Sequence, residues 1–155
     1  MVKVKRSRFV FLVLSLFLVL CVGVPGVIAV PLPSDEGSSG TIGIQSTLYL
    51  ASGSSYITNN YDGTVSVLGK SEAVQIVDQI WVKVYLQRWN GAQWVDVTSG
   101  LRKDAYNTYY VSKGAVYSVP GGYYYRTRSE HQVIHNGIYD PSPPAVSYSG
   151  YIWVP

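Results

Sequence analysis

Beyond residue 29 the chain has no cysteine, no methionine and no phenylalanine; Met1, Phe9, Phe11, Phe17 and Cys21 all precede that point. The missing thiols exclude a disulfide scaffold and any Cys-ligated metal chemistry in the remainder. That remainder is 126 residues with eight bases and nine acids, a balance that excludes a basic nucleic-acid binder. Helical periodicity and internal repeats are absent. So are G-x-S-x-G, H-E-x-x-H and any Gly-rich phosphate loop. Nothing in the composition calls for a cofactor or points to an enzyme, although two facing carboxylates brought together by folding would escape a linear reading.

The first 29 residues have the three parts of a secretory signal peptide. Lys3, Lys5, Arg6 and Arg8 form a basic start, Phe9 to Val24 an apolar middle, and Val27-Ile28-Ala29 a small-residue cleavage site. The rival reading is an uncleaved anchor, but the apolar run falls short of the roughly 20 residues a spanning helix needs. Gly23, Pro25 and Gly26 also end it. Leu20 before Cys21 argues against lipidation there, where a small residue is expected. The expectation is a secreted, extracellular protein, retained at the cell surface or released, with no stable membrane insertion after cleavage.

Residues 30–40 are rich in Pro, Ser and Gly and read as a flexible leader; residues 41–155 read as one folded domain. There, short Val/Ile/Tyr/Thr runs are broken by Gly, Asn and Pro every ten residues or so. Thr41–Ala51 reads as a first strand, and Asn59-Asn60-Tyr61-Asp62-Gly63 as a hairpin turn. Val74–Trp89 is the longest strand candidate, with Ile80, Val82, Val84 and Leu86 on one face. Trp94–Thr98, Asp104–Ser112, Ala115–Val119, Tyr123–Ile134 and Ala145–Val154 follow, with Pro141–Pro144 as a separator. Seven to nine strands at this spacing predict an all-β fold, a single antiparallel β-sandwich of immunoglobulin-like type. Tyr123 and Tyr125 follow the Gly-rich corner Pro120-Gly121-Gly122. Either suits the structural corner in which a Tyr hydroxyl bonds back to the main chain.

The order Val82-x-Val84-x-Leu86-Gln87-Arg88-Trp89, Gly91-x-x-Trp94-Val95-x-Val97, Gly122-x-x-Tyr125-Arg126-x-Arg128-x-x-His131 resembles a family of small secreted β-sandwich proteins of Gram-positive bacteria, a domain of unknown function. The resemblance covers roughly residues 41 to 154. It implies secretion and an all-β fold, and no catalytic residue.

Several constellations have a bland reading beside a chemical one. His131 and His135 are spaced H-x-x-x-H, but four residues of strand span about 13 Å, too far for two rings to share one ion. His131 reads as a polar residue near a strand end. Asn59, Asn60, Asp62 and Asp140 could suggest calcium, yet Asn and Asp beside Gly are first of all turn residues. No catalytic, cofactor-binding or metal-binding residue is assigned. Arg126, Arg128 and Glu130 line one strand face, the solvated one.

The strongest compositional signal is aromatic: fourteen Tyr and four Trp, none of them in the first 29 residues. Tyr in place of Phe keeps a hydroxyl available for water or a partner. Trp81, Tyr85 and Trp89 share one strand face, with Gln87 and Arg88 nearby, and form a candidate ligand surface; the alternative is that this face is core. Two functions follow. One is a non-catalytic extracellular binding module for a cell-wall polysaccharide or another extracellular protein. The other is a structural protein that self-associates through sheet edges in an extracellular layer. The Pro-rich segment Asp140–Pro144 as the presented loop of a protease inhibitor is a third.

Overall fold

The computed structural model of the protein describes residues 31–33, 41–42 and 47–155. The signal peptide expected over residues 1–29 lies outside them, as does most of the leader. The eight strands are β1 (Thr41–Ile42), β2 (Leu50–Asn59), β3 (Thr64–Trp89), β4 (Trp94–Asp96), β5 (Leu101–Ser118), β6 (Tyr123–His135), β7 (Ile138–Tyr148) and β8 (Ile152–Val154). All pairings are antiparallel. The fold is all-β.

The expected two-sheet sandwich is here one eight-stranded sheet folded over on itself. The cause is the 26-residue β3. Its first half pairs with β2 and its second half with β6, while β5 follows it through both halves. Between the pairs Glu72↔Tyr110 and Val77↔Thr108, residues 73–76 of β3 stand opposite Tyr109 alone. Close by, Asn107 of β5 takes φ 50°, a left-handed conformation that Asn tolerates better than most residues. Such extra residues bend a strand and sharpen its twist. The two halves of the hairpin thus become two layers, and β2 packs across the interior against β6 and β7.

Inward residues of β3 are Val65, Val67, Gly69, Ser71 and Ala73 before the bend, and Val77, Ile80, Val82, Val84 and Leu86 after it. The buried positions are odd-numbered through Val77 and even-numbered from Ile80, so the inward alternation changes phase just after the irregularity. With Leu50, Val111, Tyr125, Val133 and Val154 the apolar ones form one core. Each buried Val or Leu contributes about 1.5–3 kcal/mol. Glycine sets how closely the layers approach at their centre. A Cβ on Gly69 would lie 2.6 Å from Ser129 Oγ and 2.7 Å from Val84 Cγ2.

The Pro-rich stretch does not separate two strands. Pro141, Pro143 and Pro144 lie inside β7, whose only strand partner among the described residues is β6, so their missing N–H groups cost no ladder bond. Asp140, buried beside them, accepts the backbone N–H of both Tyr49 and Leu50 and ties β7 to the start of β2. Pro31–Pro33, placed by composition in the leader, are docked: Pro33 is buried and Pro31 O accepts Trp89 Nε1–H at 2.9 Å. At the Gly-rich corner, Tyr125 donates its hydroxyl to Pro120 O at 2.8 Å, while Tyr123 stays exposed.

Candidate functional site

The outward face of β3 after the bend carries Trp81, Lys83, Tyr85, Gln87 and Trp89. As a candidate ligand surface this face requires correction, because Trp81, Tyr85 and Trp89 expose only 4 %, 8 % and 9 % of their area. The protein's own long side chains cover them. The Arg102 guanidinium stacks 4.0 Å from the Trp81 ring, and Arg128 lies 3.9 Å from the Tyr85 ring. Their polar tips are also engaged. Trp81 Nε1 donates to Gln132 Oε1, and the Tyr85 hydroxyl donates to Glu130 Oε2. Gln87 is buried between Asp96 and Arg126, donating to the first and accepting from the second. Arg128 pairs with Asp96 at 3.0 Å and Glu130 at 2.8 Å. Arg88 stacks 4.4 Å from Tyr123 and lines an interlayer cavity with Leu86 and Tyr125 instead of joining Gln87. Stacked cations contribute about 0.5–2 kcal/mol each, so this face is a mortared wall closed to ligand.

The two histidines are far apart in role. His131 is buried in mid-strand, not a polar residue near a strand end. Its Nδ1 lies 2.8 Å from Ser71 Oγ and its Nε2 2.7 Å from Ser147 Oγ. Ser147 Oγ is in turn 2.7 Å from Ser55 Oγ, which is 2.7 Å from Ser129 Oγ. The Ser71 hydroxyl donates to Trp81 O. This assigns the ring proton to Nδ1 and leaves Nε2 to accept from Ser147. Burial lowers the His131 pKa from 6.5 to about 4, so the ring is neutral. A Ser–His pair at this distance matches a nucleophile and its base. Both residues are wholly buried, however, and no substrate reaches them. His135 sits at a strand end against Tyr49, Gln75 and Asp78.

The loop acids and amides act as turn devices. Asp62 Oδ1 accepts the Thr64 N–H at 3.0 Å, and Asn59 Oδ1 accepts the Tyr61 N–H at 2.8 Å. Among the described residues no group of three or more His, Cys, Asp or Glu could hold a metal ion.

The accessible aromatic surface lies elsewhere, along β4, β6 and β8. Trp89, Trp94, Tyr151, Tyr124 and Trp153 form a continuous belt with successive ring centroids 5.5, 6.2, 5.5 and 4.8 Å apart. Arg126 stacks on Trp94 at 4.4 Å. Burial falls along the belt from Trp89 to Trp153, which is 44 % exposed. Trp153 opens onto a groove between β2 and β8. One part, about 590 Å³, is lined by Ile57, Thr58, Asn59, Tyr61, Ile152 and Trp153. A second part, about 280 Å³, shares Ile57, Thr58 and Ile152 with it and runs on to Ser55 and Ser149. Along this groove, the outer edge of β2 from Ser55 to Asn59 has no strand partner among the described residues. Asn59 Nδ2 donates to Trp153 O across it. The groove therefore offers exposed rings, a Thr hydroxyl, an amide and strand-edge backbone groups. Sequence reading missed it because Tyr61 and Trp153 lie far apart along the chain, at a turn tip and near the C-terminus.

Among the described residues no helix is long and apolar enough to cross a membrane. No curated protein and no solved structure matches the chain. A family model does, over residues 32–146, described as a family of unknown function (DUF6147). That span includes the docked Pro33, the bent β3–β5 pair and the His131 network up to Ser147, which lies just beyond it. The chain belongs to this family of unknown function.

Proposed function

We propose that the protein is a secreted, non-catalytic binding module of a Gram-positive bacterium. It holds an extracellular polysaccharide in the groove between β2 and β8. The observation that carries this reading is the placement of Trp153: it ends the aromatic belt, is half open to solvent and lines the groove opposite Tyr61, which is 90 % exposed. Flat rings give sugar faces apolar area at low entropic cost, and the hydroxyl, amide and backbone groups beside them meet sugar hydroxyls. Secretion rests on the leader pattern of residues 1–29. The test is co-sedimentation with purified cell-wall polysaccharide. Trp153→Ala should weaken binding by about 30-fold, the loss of about 2 kcal/mol typical of a central anchor, with an unchanged melting temperature. Equal binding by the variant and the parent contradicts the reading.

A second reading, self-association in an extracellular layer, is favoured by β5. Among the described residues the strand pairs with β3 on one side only. Tyr106, Tyr109, Tyr110 and Val116 are exposed along it. Its stretch 108–118 holds a single charge, Lys113, and no Pro, few of the devices that protect a free edge. Sedimentation velocity over a hundredfold concentration range tests it. Assembly that Val116→Lys abolishes supports the layer; a monomer throughout removes it.

A further inference from the structure

A cavity of about 200 Å³, distinct from the groove, opens between the two layers at the end of the fold where β3 and β5 finish. Leu86, Val97, Val119 and Pro120 give it apolar walls, and Arg88 is its one charged lining residue. No carboxylate among the described residues pairs with Arg88; the ion pairs there belong to Arg102, Arg128 and His135. Its Nε is buried and has no hydrogen-bond partner, while the rest of its guanidinium stacks on Tyr123 and acts on the Tyr125 hydroxyl.

The other polar groups of the lining are largely committed. The Tyr125 hydroxyl donates to Pro120 O, and Thr98 Oγ1 accepts the Leu86 N–H. A buried guanidinium donor without an acceptor is costly. An apolar cavity with one cation in its wall matches one ligand chemistry, a carboxylate on an apolar body. The volume, about 200 Å³, limits the ligand to a small molecule.

We propose that this pocket binds a small organic monocarboxylate, its carboxylate on Arg88 and its apolar part against Leu86, Val97 and Val119. A free acid and the C-terminus of a peptide share this chemistry. The small volume of the cavity, about 200 Å³, favours the free acid.

The test is titration at pH 7 with hexanoate, with hexan-1-ol and with the capped dipeptide acetyl-leucyl-valine, following amide NMR shifts of Leu86, Val97 and Val119. Hexanoate should give saturable shifts, with hexanol at least about tenfold weaker for want of the charge-assisted bond. Arg88→Met, similar in length and uncharged, should erase that difference. Val97→Phe, at a partly exposed site on the rim, should weaken hexanoate with Arg88 intact. Equal binding of hexanoate and hexanol, absence of saturable shifts, or a preference for hexanoate that survives Arg88→Met would each overturn the assignment. Tighter binding of the dipeptide than of hexanoate would overturn the free acid as occupant.

Discussion

His131 Nε2 lies 2.7 Å from Ser147 Oγ at the centre of the interior, where neither residue has measurable contact with solvent. The chain of hydroxyls around it joins β2, β3, β6 and β7. It replaces apolar packing where Gly53 and Gly69 bring the layers together: a Cβ on Gly53 would meet the His131 ring at 2.5 Å. A fully partnered polar network of this kind fixes which strands face one another, because any slip leaves several buried groups unsatisfied.

The network makes stability pH-dependent. Burial lowers the folded pKa of His131 from 6.5 to about 4, so above pH 6.5 both states hold a neutral ring and stability is full. Below 6.5 the unfolded chain gains a proton that the folded protein refuses. Stability is lost progressively until pH reaches about 4, by about 3 kcal/mol in all. Urea unfolding at pH 7.0 and 4.5 should show this loss, and His131→Gln should flatten it. An identical slope in parent and variant contradicts the assignment.

Removing one network member should be costly out of proportion to its size. Ser147→Ala leaves Nε2 without a partner inside the core, at a cost of about 1–3 kcal/mol. Gly69→Ala forces a methyl against Ser129 and Val84 and should also cost about 1–3 kcal/mol. Chemical denaturation reads both.

At the corner, Tyr125→Phe keeps the packing and deletes only the bond to Pro120 O. A loss of about 0.5–1.5 kcal/mol is expected. Tyr123→Phe, on an exposed ring, should leave the unfolding midpoint in place.

The Trp residues separate wall from surface. Trp81→Ala removes a ring sealed by Arg102 and should destabilise the fold by about 3–5 kcal/mol. Trp153→Ala should leave the melt almost unchanged. Comparable losses at both positions would contradict the distinction drawn between them.

The local elements were legible in the sequence wherever the cause was local. The alternation of Ile80, Val82, Val84 and Leu86 predicts the inward face of β3. Asn59 and Asp62 predict a turn, and each accepts the backbone N–H two residues on. What was not legible depends on distant partners. Lys70-Ser71-Glu72 interrupts the apolar pattern, so the long strand reads as beginning only at Val74, ten residues after β3 actually starts. Ser71 continues it inward because its partner is His131, sixty residues away. Trp81 and Tyr85 fit a ligand platform equally well until Arg102 and Arg128, from other strands, are seen to cover them. The β2–β8 groove is built by chain segments that no spacing rule connects.

Occupation of the groove by ligand is tested most directly by amide hydrogen exchange with and without purified cell-wall polysaccharide. The account predicts slowed exchange in residues 55–61 and 151–155, where the free edge of β2 faces Trp153, and unchanged exchange along β5. Protection confined to residues 101–118, or no protection at a saturating concentration of polysaccharide, would contradict it.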